Sequence, residues 1–185
     1  MEDISLHILD IAENSITAGA TLVVIELVFR RDENSLIVEI RDNGKGMERD
    51  MAEKALDPFF TSRTTRSVGL GLSLLAQSAR ETGGDLTIKS ATGMGTIVSA
   101  QFRPMHIDMK PLGDITETLA VLIAGNPETD FVFTYDYDKA ESPFSFDTRE
   151  IRPDLENIPI NAPEVISVLK DNLRASLNDI KKKVV

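Results

Sequence analysis

Cysteine is absent from the 185 residues, which removes disulfides, thiolate metal sites and cysteine nucleophiles together. Long apolar runs are also missing. None approaches the roughly 20 residues that a membrane-spanning helix needs, and the opening Met1-Glu2-Asp3 has the wrong charge for a secretory leader. Positive charge is in deficit, with a net charge of −10. A chain of that sign repels phosphate backbones, so nucleic acid is not an expected partner. Histidine occurs twice, as His7 and His106, which leaves little material for a histidine metal site or a phosphoacceptor. The expectation from these absences is a cytoplasmic protein without membrane or nucleic-acid contacts. What is present is an ordinary apolar share, 42% of residues, enough for a real core. The length suits one domain, or a compact domain with a small appendage.

Hydrophobic periodicity divides the chain into elements. Ile4, Ile8, Ile11 and Ala12 form a helical stripe over residues 4–18, and Gly19 stands where a helix stops. Leu22 to Phe29 is β-branched and almost wholly apolar, the pattern of a buried strand. After the turn residues 31–35, Leu36, Val38 and Ile40 alternate with Glu39 and Arg41, so the two strands read as a hairpin. A short helix is predicted over 48–56, a polar loop over 57–68 and a longer helix from Leu70 to Glu81. Strands at 86–89 and 96–102 follow, joined at Gly93-Met94-Gly95. Pro104 closes this unit. Beyond it a helix is predicted over 115–123, strands at 130–135 and 144–146, and a last helix capped by Asn161 with Glu164 three residues on. Val165, Leu169, Leu173 and Leu177 line one face of that helix.

Four short segments carry chemistry as well as structure. On the first helix, His7, Asp10, Glu13, Asn14 and Thr17 fall within an arc of roughly 120°. That arc is an ordinary solvated face, or it offers the Asn14 carbonyl oxygen to a hard cation such as Mg²⁺. Asp42-Asn43-Gly44-Lys45-Gly46-Met47 follows a strand. It is turn chemistry, or it presents the Asp42 carboxylate to a ring amino group, with Gly44 and Gly46 letting backbone come close. Gly69-Leu70-Gly71-Leu72 precedes a helix, where free amides can meet a phosphate. It is not a Rossmann fingerprint, and no Walker-type loop occurs anywhere in the chain. Gly93-Met94-Gly95-Thr96 reads by itself as a hairpin turn.

In order and spacing, these segments resemble the boxes of the GHKL superfamily, the histidine-kinase, gyrase and chaperone ATPases. Residues 10–21 are similar to its N box, closest to the mismatch-repair and gyrase forms. Asp42 to Met47 resembles the G1 box. Residues 57–62 with Gly69 to Leu72 resemble the F and G2 boxes of histidine kinases, and Gly93 to Thr96 the last glycine box. The resemblance implies an α+β Bergerat fold over residues 1–103, a mixed, mostly antiparallel sheet with helices on one face. Residues 104–185 form a small α/β extension. It implies ATP and Mg²⁺ as ligands, with Asn14 on the metal, Asp42 reading adenine and Thr96 supporting it. Gly44, Gly46, Gly69 and Gly71 shape the pocket, and the boxes also supply Met47, Phe60, Leu70 and Leu72. Residues 57–68 become the lid over the nucleotide, where Arg63 and Arg66 can pair with phosphates or stay solvated.

The departures bear on activity. Gyrase-type members place a glutamate four residues before the asparagine as general base, and here that position is Asp10, one methylene shorter. Histidine kinases commonly carry a basic residue where Thr17 stands. Neither histidine has phosphoacceptor context: His7 is expected as a surface or partly buried helix residue, and His106 follows the last strand. The resemblance therefore implies a histidine-kinase-like ATPase domain without a phosphoacceptor domain, acting as a slow ATPase or a phosphotransferase on a partner protein. The alternative is an ATP-gated binding module with little turnover. Oligomeric state is open, with a dimer among the options.

Overall fold

The computed structural model describes residues 3–55, 71–138 and 142–183. The first helix, α1 (Ile4–Thr17), starts where the Asp3 side chain accepts a hydrogen bond from the Leu6 amide, satisfying one of the free donors of the first turn. Its stripe of Ile4, Ile8, Ile11 and Ala12 is buried. The hairpin β1 (Leu22–Arg30) and β2 (Ser35–Asp42) pairs Ile25 with Ile40 and Leu27 with Val38. Both pairs face the same side, as the two-residue period requires. A short α2 (Arg49–Lys54) follows, then α3 (Gly71–Glu81), β3 (Asp85–Ala91) and β4 (Gly95–Phe102).

The later part of the chain joins the same sheet. Helix α4 (Ile115–Gly125) leads into β5 (Asp130–Tyr137), which lies parallel to β1, and β6 (Phe144–Asp147) closes that edge. The strand order is β3-β4-β2-β1-β5-β6, and every pairing but β1 with β5 is antiparallel. The short α5 (Thr148–Ile151) and a 3-10 turn lead to α6 (Pro163–Lys183). One hydrophobic cluster runs through both parts of the chain, from Ile8, Val23 and Leu75 to Leu119, Phe133 and Leu173. Among the described residues no helix is long and apolar enough to cross a membrane. The architecture is a Bergerat-type α+β fold.

Two local expectations change. The last helix begins at Pro163, whose missing N–H is no loss in the first turn. The Ile166 amide bonds the Ala162 carbonyl, so the cap position falls to Ala162 rather than Asn161. More consequential is His7, which is fully buried where a surface or partly buried position was expected. The arc of polar residues on α1 is therefore not one solvated face. Residues 111–113 strap its N-terminal half, with the amides of Ile4 and Ser5 donating to the carbonyls of Pro111 and Leu112. Thr118 of α4 reaches the Ser5 carbonyl with its hydroxyl at 3.3 Å. Only the C-terminal half of the arc is left to form a site, with Glu13 and Thr17 exposed and Asp10 and Asn14 half-buried.

Candidate functional site

The end of α1, the loop after β2, the start of α3 and the start of β4 enclose a cleft of about 630 Å³, part of it open to solvent. Its apolar walls include Ile11, Met47, Leu72 and Val98. Asp42 stands at its polar end, at the last position of β2, where the sheet meets α1.

The Asp42 carboxylate is held on both oxygens. Ser15 donates its hydroxyl to Oδ2 at 2.8 Å, and Oδ1 accepts the amides of Gly44 at 2.9 Å and Thr96 at 3.2 Å. Charge-assisted bonds of this kind are the stronger ones. They fix the carboxylate's direction while leaving Oδ2 lone-pair capacity for a donor in the cleft. Asn43, which points the other way, accepts the amides of Thr21 and Leu22 at 2.9 and 3.0 Å and pins the loop to the start of β1. The Lys45 amide bonds the Ala18 carbonyl, and Gly93 donates to the Lys45 carbonyl. The loop is thus clamped between α1 and the β3–β4 turn.

Glycine is required at Gly46 for two reasons. Its φ is +66°, and a Cβ there would lie 2.0 Å from the Ala91 carbonyl oxygen. Behind Asp42, a side chain on Gly44 would press on the Ala18 carbonyl at 3.0 Å. The next residue in the loop, Met47, donates its amide to the Ser90 hydroxyl at 2.8 Å, and Ser90 in turn sits 3.0 Å from the Thr96 hydroxyl. A serine pair, Ser15 and Ser90, therefore supports the two residues expected to read the base. The sequence reading named neither. Ser15 carried a usable signal, a hydroxyl on the apolar face of α1 four residues after Ile11.

At the other end of the cleft, Asn14 lines the wall and its amide nitrogen donates to Asp10 Oδ2 at 3.4 Å. Asp10 is not among the lining residues. Its carboxylate lies against Gly71 instead, so close that a Cβ on Gly71 would meet Oδ2 at 1.5 Å. Burial pushes the Asp10 carboxyl above its ordinary range, and the Asn14 hydrogen bond pulls it part of the way back. Asn14, Asp42, Gly46, Met47, Leu72 and Thr96 are thus gathered at one cleft, with Gly44 behind Asp42 and Asp10 and Gly71 beside Asn14. Phe60, Arg63, Arg66, Gly69 and Leu70 lie outside the described residues.

The residues present suit an adenine nucleotide. Apolar walls suit a flat ring, Asp42 offers an acceptor for an amino group, and Lys45 lines the same cleft. No group of three or more metal-ligating side chains occurs among the described residues. The Asn14 carboxamide oxygen, at a lining position of the cleft, is a hard donor of the type a divalent cation such as Mg²⁺ takes beside phosphate oxygens and water.

Several known proteins are similar to this chain. The tetrathionate sensor histidine kinase TtrS of Salmonella typhimurium is 33% identical over 93 residues, 48% of this chain and 15% of that protein. Sensor kinase CckA of Brucella abortus is 35% identical over 80 residues, 43% of this chain and 8% of that protein. The chain thus spans less than a fifth of the length of these relatives. Among solved structures, the N-terminal domain of a DNA repair protein superposes with a TM-score of 0.54 at 18% identity, over 78% of this chain and 52% of that one. The Aquifex aeolicus MutL ATPase domain complexed with ADP gives 0.49 at 17% identity, over 75% and 62%. A family model described as histidine kinase-, DNA gyrase B- and HSP90-like ATPase matches residues 2–106, more than half of the chain, which therefore belongs to that family and carries an ATP-binding domain of histidine-kinase type.

Proposed function

We propose that the protein binds ATP with Mg²⁺ in the Asp42 cleft and acts as a slow ATPase or a phosphotransferase toward a partner protein. The observation that supports this most directly is the Asp42 carboxylate, oriented by Ser15, Gly44 and Thr96 beneath apolar walls. In this reading Asp42 accepts the adenine amino group, Thr96 supports the ring, and the Asn14 carboxamide oxygen holds Mg²⁺. The bound nucleotide supplies the transferable phosphoryl group. Gly71 and Leu72 bring the start of α3 to the phosphates, where helix amides favour anions. Phe60, Arg63, Arg66, Gly69 and Leu70 complete the lid and its hinge. Asp10 takes the proton from the attacking water or acceptor hydroxyl. Its carboxyl, raised by burial, is a stronger base than an exposed aspartate. Residues 1–103 hold the nucleotide.

A second reading has its own support. Asp10 is outside the cleft lining and faces Gly71, so a nucleotide-gated binding module with little turnover is the alternative function.

Thermal melting with ATP, ADP and a non-hydrolysable analogue, each with and without Mg²⁺, tests the shared premise. Ligand at 100 times its dissociation constant should add about 2.7 kcal/mol of stability, and no shift with any adenine nucleotide would sink both readings. Phosphate release, alone and with candidate acceptors, then separates them. If Asp10 is the base, Asp10→Asn should slow turnover by about 100-fold or more without weakening the nucleotide-induced shift. It should also raise stability at neutral pH. A carboxyl whose folded pKa is raised contributes stability at acid pH that is lost as pH rises through that pKa, and the amide removes this loss.

A further inference from the structure

A second cavity, of about 750 Å³ with part open to solvent, shares no lining residue with the nucleotide cleft. Its floor is the helix-covered face of β1 and β5, at Leu27 and Phe133, and one wall is α6 at Leu177. All three residues belong to the buried core, so the cavity reaches down to it.

Its polar side chains include the cation Arg174 and the hydroxyl of Tyr135. Tyr135 lines the cavity, is only 5% exposed, and has no hydrogen-bond partner among the described residues. The sealed, unsatisfied side-chain nitrogens and oxygens of the described residues are those of His7 alone, so the Tyr135 hydroxyl opens onto the cavity. Burial pushes the phenol well above its ordinary pKa, with Tyr137 adding to the effect, which keeps the group a neutral donor. Arg174 and Asn178 of α6 line the same space. The acidic lining residue, Asp114, is already committed. It caps α4 by accepting the Glu117 amide at 3.0 Å, and it lies 3.6 Å from the half-exposed Arg174 guanidinium. A pair at that distance and exposure contributes little and leaves most of the guanidinium donors free.

We propose that this cavity binds a small amphipathic carboxylate, its apolar or aromatic body on Leu27, Phe133 and Leu177 and its carboxylate toward the donors of Arg174 and Tyr135. One guanidinium, partly balanced by Asp114, suits a single negative charge rather than a phosphate dianion. The apolar floor accounts for the rest of the ligand, as in pockets where a few polar groups set orientation.

The test is a calorimetric titration of the full chain without nucleotide, using 4-phenylbutyrate, with 4-phenylbutanol, 4-phenylbutylamine and phenyl phosphate as comparisons. Saturable binding of the carboxylate is expected, with the other three about tenfold weaker or worse. Amide shifts in NMR spectra should centre on Thr116, Tyr135 and Asn178. Arg174→Gln, at a half-exposed position that the fold does not need, should weaken binding about tenfold, and Tyr135→Phe by about fivefold. No saturable binding, equal binding of the alcohol, tighter binding of the phosphate, or indifference to both substitutions would overturn the assignment. Because nucleotide is left out, each outcome is independent of the ATP cleft.

Discussion

Asp42 shows how much one side chain can be made to do by its neighbours. An aspartate at the end of a strand is commonplace, and here three donors hold it in one direction. Asp42→Asn keeps the shape but replaces one acceptor oxygen with a donor, which sets it against Ser15 or against the two amides. A hydrogen bond to a charged group contributes about 1.5–3 kcal/mol. Binding of an ATP analogue, measured by calorimetry, should therefore weaken by about tenfold to 100-fold. His7 is the opposite case, a polar residue with nothing to do. It is fully buried, neither ring nitrogen has a hydrogen-bond partner among the described residues, and burial, then the charge of Lys110, pulls its pKa down to about 4. The unfolded chain takes up a proton near pH 6.5 that the folded chain refuses until about pH 4. Stability therefore falls as pH drops through that window. His7→Leu removes two unsatisfied groups, each worth about 1–3 kcal/mol. Urea midpoints should be higher than wild type at pH 7, and the gap should widen at pH 5.

At the scale of elements, the decisive object is the loop between β2 and α2. Its conformation is set by contacts on three sides: Ala18 of the α1 terminus, Thr21 and Leu22 at the entry to β1, and Ala91 and Gly93 at the end of β3 and the turn after it. Gly46→Ala forces a Cβ into the Ala91 carbonyl at a positive φ. It should cost about 2 kcal/mol or more in equilibrium unfolding and reduce nucleotide binding at the same time. The glycine spacing of the loop was legible because glycine is the residue such approaches demand. The clamps were not, since Ala18 and Ala91 contribute only carbonyl oxygens that any residue would supply. Helix α1 and its apolar stripe were legible, but His7, expected at the surface or partly buried, is fully buried. Periodicity locates a polar arc but says nothing about what a distant segment lays over it, and here residues 111–113 and α4 cover the first half.

At the scale of the molecule, β5 lies alongside β1 from Leu22–Asp130 to Phe29–Tyr137. Without it, β1 presents an open row of amides and carbonyls, an edge that invites association. The same deletion removes Ile115, Leu119, Leu122, Phe131 and Phe133 from the core. A fragment ending at residue 106, the span of the family match, should therefore expose apolar surface and lose amide protection along β1. Dye binding and hydrogen exchange would show this, and a fragment as protected as the full chain would show instead that β1 needs no neighbour on that side.

The four boxes were legible in the sequence alone, because Asp, Asn and Gly at those spacings serve local backbone geometry that neighbouring residues already specify. The helical and strand segments were equally accessible, because their apolar periods are local as well. Three things needed the tertiary structure: the burial of His7, the serines behind Asp42 and Thr96, and the parallel seam between β1 and β5. Each depends on which residues far apart in the chain meet, and meeting is decided by how the apolar faces of α1, α4, α6 and the sheet can be covered together. No local pattern records that choice.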